Sequence, residues 1–386
     1  YGNQVDLFGK SVLARMREIQ GKPFVFPEDG YQGEYVRDIA QKILDECGLE
    51  LDAITGEEDL IAAVAQKAID HNIATQQRDM HEFNVDFKTW FRERKLHENG
   101  DVMAALDFLA QRNVIYEQDG KKVFSSTAYG DDKDRVVVRD DGRPTYLLAD
   151  IAYHLDKIKR GYDLILDIWG PDHHGYIARL SGAMTAMEHG GDSFRVLIAQ
   201  QVNLIMEGEA VKMSKRLGKF STMRDLIDEI GVDVARYFFT MRSMDSHLDF
   251  DLSLAKKESS ENPVFYLQYA HARICSLFRE AEKRGVMYDP SKCRKEYLDN
   301  PEGIALMKLM LKFNEEIVDA AQACEPHRMC SYLMKLAQSF HRFYTDHRFL
   351  SDDREQTNSY LTLADAVKAV MKQGLRIVGV SAPERM

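Results

Sequence analysis

The chain has 386 residues, 45% of them hydrophobic and 29% charged, with a formal net charge of −11. This is the size of two or three domains with an ordinary buried core, and the acidity excludes a general nucleic-acid coat, because phosphate binding rests on cationic surface. No apolar run reaches membrane-spanning length, no signal peptide or targeting tail is visible, and the five scattered cysteines form neither a disulfide framework nor a zinc pair. A cytoplasmic protein with no membrane partner is expected.

Two compositional regimes meet near residues 252 to 262, and the first alternates strands and helices. Val114-Ile115-Tyr116 and Lys122-Val123-Phe124 flank Asp119-Gly120, a hairpin signal. Val136-Val137-Val138 is a short β-branched run. On a helix, Tyr146 and Asp150 are four apart and share one face. Leu164 to Trp169 is a near-continuous apolar run ending in Gly170-Pro171, the pattern of a strand buried on both faces. A helix from Gly175 to about Glu188, closed by Gly190-Gly191, leads to a strand at Val196 to Ala199, completing one βαβ unit. A further helix is capped at Thr222. In the second, all-helical regime, Leu306, Leu309, Met310, Phe313 and Ile317 recur at helical spacing, as do Leu333, Leu336, Phe340 and Phe343. Both stripes read as core. The architecture is an α/β domain followed by a helical bundle.

Three segments carry chemistry. Lys212-Met213-Ser214-Lys215 lies in a basic loop after a buried strand, where two lysines three apart can reach one polyphosphate. A bare lysine cluster is the alternative, and the position after the strand weighs against it. The wider basic strips, Lys212 to Lys219 and Arg328 to Arg348, are more often simply solvated faces. Gly170-Pro171-Asp172-His173-His174-Gly175 follows the buried strand at the sheet edge where ligands bind. There a carboxylate can take the hydroxyls of a ribose, and glycine lets backbone approach closely. The paired histidines, even with His154, lack further ligands at metal spacing, so no metal is assigned. Tyr146 beside Asp150 can hold a cationic side chain, and a guanidinium suits the carboxylate fork. Alone, that pair would be a solvated helix face.

Together these residues resemble a class I aminoacyl-tRNA synthetase. Lys212 to Lys215 is similar to the KMSKS-type signature of that class, and Gly170-x-Asp172 resembles its ribose-binding element. A longer resemblance to arginyl-tRNA synthetases runs through Gly2-Asn3-Gln4, Phe26 to Tyr35, Gly130 to Arg135 and Asp150 to His154. It continues through Asp172 to Tyr176 and Asn262 to Tyr266, and ends at Gly379 to Met386. The resemblance implies a Rossmann-like catalytic domain over 1–245, its parallel sheet incomplete at the N-terminus. A connector over 246–261 and an α-helical anticodon-binding domain over 262–386 would follow. It implies that L-arginine is activated with ATP and Mg²⁺ to arginyl-adenylate and then passed to the 3′ end of tRNA(Arg), by a monomer. Glu93, Tyr146 and Asp150 would hold the arginine, with His174 lining the same pocket. Asp172 would bind the ribose, Gly170 would allow close approach, and His173 and Met213 would complete the ATP set. Lys212 and Lys215 would stabilise the leaving pyrophosphate, with Ser214 shaping the loop. Tyr266, Tyr269, His271 and Arg273 would contact tRNA; for the aromatic residues, a place in the core is an equal alternative.

The pattern departs at one place: the class I His-x-Gly-His signature is not found, and neither His97-Glu98-Asn99-Gly100 nor His173-His174-Gly175 satisfies it. The match at Gly2-Asn3-Gln4 lies downstream of that signature. The expectation is therefore that the signature and an N-terminal tRNA-contacting domain precede these residues, and that this chain alone lacks one ATP-binding half. Two rivals follow: a class I synthetase for another amino acid, and a tRNA-binding module without activity. Two carboxylates in the pocket count against the first, the intact lysine loop against the second.

Overall fold

The computed structural model describes residues 3–210 and 222–386. Backbone contacts divide the chain into two compact units, residues 1–198 and 199–386. The division falls inside the span expected for the catalytic domain.

In the first unit the alternation of strands and helices begins only at Ile115; five helices precede it. α1 (Asn3–Ile19), α2 (Glu34–Asp52) and α3 (Glu57–Glu82) enclose a core of their own around Val12, Val36, Ile39, Val64 and Ala68. Ser11 is buried in it, and its hydroxyl is satisfied: it donates to the Leu7 carbonyl at 2.7 Å and accepts the Tyr31 N–H at 3.0 Å. α4 (Glu93–Glu98) and α5 (Asp101–Gln111) follow.

β1 (Ile115–Gln118) and β2 (Lys121–Phe124) then pair antiparallel. Asp119 and Gly120 at the turn take φ of 51° and 72°, the left-handed pair that matches strand twist. β3 (Arg135–Val138) completes a three-stranded sheet. α6 (Tyr146–Lys159) is launched from its end: the Thr145 hydroxyl donates to the carbonyls of Val136 and Val137, at 3.0 and 3.2 Å, instead of capping the helix. β4 (Ile165–Trp169), α7 (Ile177–Ala186) and β5 (Phe194–Ile198) form the expected βαβ unit, with β4 and β5 parallel.

The expectation of two-sided burial at β4 is corrected. Ile165 and Asp167 are buried, whereas Leu166 and Ile168 are 41% and 63% exposed. The second core, around Leu109, Phe124, Leu148, Ile151 and Met184, covers one face of the strand only.

In the second unit, β6 (Val202–Met206) lies between β7 (Glu209–Ala210), antiparallel, and β8 (Leu248–Asp251), parallel. The start of the stretch expected to be a connector is therefore part of a sheet. α8 (Met223–Ile230) begins at Thr222 with a reciprocal capping box to Asp225; α9 (Val232–Thr240) and α10 (Leu252–Ala255) follow. The helical remainder comprises α11 (Pro263–Lys283), α12 (Pro301–Leu311), α13 (Phe313–Ala323), α14 (His327–Asp346) and α15 (Arg354–Ile377). Leu333, Leu336, Phe340 and Phe343 on α14 are fully buried. The other stripe is split between α12 and α13 at Lys312, and only Leu306 of it is fully buried. Its expected core role shrinks accordingly. α14 and α15 cross where Gly374 leaves no room for a Cβ, which would stand 2.6 Å from Leu333 Cδ2.

Candidate active site

The first unit brings Tyr146, Asp150 and Glu93 into mutual electrostatic range. Tyr146 opens α6 and is 74% exposed, and Asp150 sits one turn further along, half-buried. Glu93 opens α4, its carboxylate 3.7 Å from His97 Nε2. The Asp150 charge, then burial, then Glu93 push the Tyr146 phenol above its ordinary value. Burial pushes the Asp150 carboxyl up; a hydrogen bond from Tyr176 and the nearby His154 oppose this, Glu93 and Asp167 add to it, and the net shift is upward. Two carboxylates around a phenol, one with its ionised form disfavoured, are relieved by a cation placed among them.

The backbone of α6 is pinned beneath this site. His154 Nδ1 donates to the Asp150 carbonyl at 2.8 Å, and its Nε2 lies 2.9 Å from Asp167 Oδ2. Lys157 Nζ donates to Asp167 Oδ1 at 2.7 Å. Burial pushes the Asp167 carboxyl up, but His154 and Lys157 more than offset that and hold it below its usual value. This cluster gives a structural role to His154, the histidine weighed beside the His173-His174 pair for metal.

β4 delivers the second group of candidates. Gly170 begins a short 3-10 segment, Pro171–Tyr176, and its carbonyl accepts the His173 N–H at 3.1 Å. A Cβ on Gly170 would meet Asp172 Oδ1 at 2.7 Å. Asp172, His173 and His174 are exposed, with Asp172 and His173 3.6 Å apart. Among the described residues, no hydrogen bond or ring contact joins His174 to Tyr146 or Asp150. Lys212, Met213, Ser214 and Lys215 lie outside the described residues.

Tyr176 was not singled out by sequence, yet its hydroxyl donates to Asp150 Oδ2 at 2.6 Å. Burial, then Asp150, push its phenol far up, so it remains an O–H donor. In the sequence it stands at the end of the Asp172 to Tyr176 run, with no role attached to it.

In the second unit, α11 carries Tyr266, Tyr269, His271 and Arg273. The Arg273 guanidinium lies 5.0 Å from the Tyr269 ring and 4.7 Å from the Tyr344 ring, and Nη1 donates to His341 Nδ1 at 3.2 Å. Tyr266 packs on His341 at 4.8 Å. Beside them is a cavity of about 1110 Å³ whose lining includes Arg273, Arg279, Arg284, Arg348 and Arg385 against two carboxylates, Glu280 and Asp346. His271 is a correction. It is 2% exposed, and its Nδ1 donates to the Pro383 carbonyl at 2.9 Å. It shares the buried face of α11 with Leu267 and Ile274, so it presents nothing to a nucleic acid.

Two family models match the chain: tRNA synthetases class I (R), catalytic domain, over residues 43–249, and the DALR anticodon binding domain over 267–386. An arginine–tRNA ligase of Leptospira interrogans is 47% identical over 419 residues, covering 100% of this chain and 70% of the relative. The Bacillus licheniformis arginine–tRNA ligase is 43% identical, covering 100% and 69%. A Campylobacter jejuni structure described as an arginyl-tRNA synthetase superposes with a TM-score of 0.87 at 35% identity, covering 100% of this chain and 83% of that one. The Thermus thermophilus arginyl-tRNA synthetase shares the fold at a TM-score of 0.70 and 17% identity, covering 100% and 80%. With a parallel βαβ unit, a helical C-terminal bundle and relatives matched across all of its length, the chain belongs to the arginyl-tRNA synthetase family.

Proposed function

We propose that this arginine–tRNA ligase recognises its amino acid through Glu93 and Asp150, set around the Tyr146 phenol. The observation that carries the reading is electrostatic: both carboxylates bear on the same exposed phenol, and Asp150 is harder to ionise than usual. A guanidinium relieves that repulsion and uses the fork geometry of a carboxylate, which an ammonium cannot. His174 completes the pocket wall.

Asp172 takes the ribose of ATP, beside Gly170 and His173. Lys212, Met213, Ser214 and Lys215 handle the phosphates, with Mg²⁺ arriving on the nucleotide as part of the substrate. Attack of the arginine carboxylate on the α-phosphate then releases pyrophosphate, and the terminal adenosine of tRNA(Arg) takes the arginyl group. Catalysis is chiefly positioning and charge stabilisation. Residues 262–386 grip the tRNA, through the Tyr266, Tyr269 and Arg273 group and an exposed basic row on α14. Arg328, Lys335 and Arg342 recur there every seven residues. The working form is a cytoplasmic monomer.

The test is ATP–pyrophosphate exchange on the full-length protein, with arginine, lysine or neither, and with or without tRNA. Exchange that requires arginine and collapses in Asp150→Ala and Lys215→Ala supports the reading. Arginine dependence that survives Asp150→Ala sinks the pocket, and tight tRNA binding without any exchange favours a binding module.

A further inference from the structure

Asp150 is held from outside the helix that carries it. Tyr176 reaches back across 26 residues to place its hydroxyl 2.6 Å from Asp150 Oδ2. The Tyr176 ring is itself clamped, 5.7 Å from Trp169 and under the Arg179 guanidinium at 4.9 Å. Trp169 ends β4, and Tyr176 ends the segment that begins with Pro171 and contains Asp172. The hydroxyl is therefore fixed by the same short segment that follows β4 at the sheet edge.

We propose that Tyr176 is a positioning residue for amino-acid selection: its hydroxyl locks the Asp150 carboxylate in one orientation for a guanidinium. The proposal rests on the assignment of Asp150 to the arginine pocket. A carboxylate held by a donor on one oxygen loses the freedom to turn toward a spherical ammonium, while its remaining lone pairs still accept a planar fork. The charged and titratable groups around Asp150 are Glu93 from α4, Tyr146 and His154 from α6, Asp167 from β4, and Tyr176 from the Pro171–Tyr176 segment. Glu93, Asp167 and burial disfavour its charge, and Tyr176 is the hydrogen-bond donor among the opposing influences. Without that donor the Asp150 carboxyl rises further, and arginine binding is lost at higher pH.

The experiment compares the full-length protein with Tyr176→Phe, which keeps the ring on Trp169 and Arg179, and with Asp150→Asn and the double variant. Arginine KM, ATP KM, kcat and the pH profile of kcat/KM for arginine are read by exchange. Tyr176→Phe should raise the arginine KM about tenfold, the scale of one hydrogen bond to a charged group, leave the ATP KM unchanged, narrow arginine–lysine discrimination, and move the acid limb upward. In the Asp150→Asn background it should add no further loss. A wild-type KM and acid limb in Tyr176→Phe, while Asp150→Asn abolishes arginine dependence, overturns the positioning role and leaves the pocket standing. Unchanged arginine KM in Asp150→Asn overturns the pocket assignment itself. A Tyr176→Phe protein in which ATP KM and arginine KM rise together reports general loosening and also overturns the proposal.

Discussion

Asp167 on β4 and His154 on α6 meet at 2.9 Å inside the first unit, with both side chains almost fully buried. Lys157 occupies the other Asp167 oxygen, so one carboxylate engages both side chains and joins the strand to the helix that carries Asp150. Breaking a buried pair from one side leaves charge uncompensated. Asp167→Asn should therefore destabilise the protein by roughly 3 kcal/mol, read from denaturant midpoints at constant m. An Asp167→Asn/His154→Gln pair should cost less than the sum of the single changes.

Glu93→Gln acts on Asp150 in the opposite sense to loss of the Tyr176 hydroxyl. Glu93 adds to the upward shift of the Asp150 carboxyl, so removing its charge lets Asp150 ionise at lower pH. The acid limb of kcat/KM for arginine should move down, while kcat/KM on the plateau falls at least about tenfold with the lost charge-assisted hydrogen bond. Steady-state exchange followed from the plateau down through the acid limb separates the two effects.

Much of this was legible in the residues. Asp119-Gly120 announced its hairpin because that turn demands left-handed backbone, and Tyr146 and Asp150 fell on one helical face because 3.6 residues make a turn. The apolar run at 164–169 marked β4, but composition cannot say which face the rest of the protein covers, and Leu166 and Ile168 remain exposed. The stripe from Leu306 to Ile317 hid a helix break, because Lys312 is itself near-helical at φ −76° and ψ −8°. Tyr176 stood in a matched run, but its role was not legible because it depends on a side chain crossing to another element. His271 could have been placed correctly: it is four residues from Leu267 and three from Ile274, squarely on the apolar row.

His341 makes the second unit sensitive to acid. Burial, then the Arg273 charge, push its imidazole down from 6.5 to about 4, leaving a neutral nitrogen to accept from Arg273. The unfolded chain takes up a proton below the ordinary value and the folded one does not until about pH 4, so the group's contribution to stability drains away across that window and changes no further below it. Melting temperatures at pH 7 and pH 5 should fall further apart in the wild type than in His341→Gln, which keeps a neutral acceptor. Equal differences would remove His341 as the cause.

Gly374→Ala tests the crossing of α14 and α15. An alanine inside an exposed helix gains up to about 1 kcal/mol over glycine, but here the new Cβ would stand 2.6 Å from Leu333 Cδ2. Overpacking of a filled core costs about 1–3 kcal/mol, so the net effect should be destabilising by about 1 kcal/mol. Urea denaturation measures it, and a stabilised variant would mean that Leu333 turns aside.

The helices α1, α2 and α3 close on their own core, and the residues of that core are absent from the cluster around α6 and β4. Cooperativity follows shared burial, so the two cores are expected to open separately in native-state hydrogen exchange. A solvent-exchange event that loosens the three-helix layer can leave the amides of α6 protected, and with them the geometry that orients Asp150. A substitution in one core is then expected to do its damage within that layer.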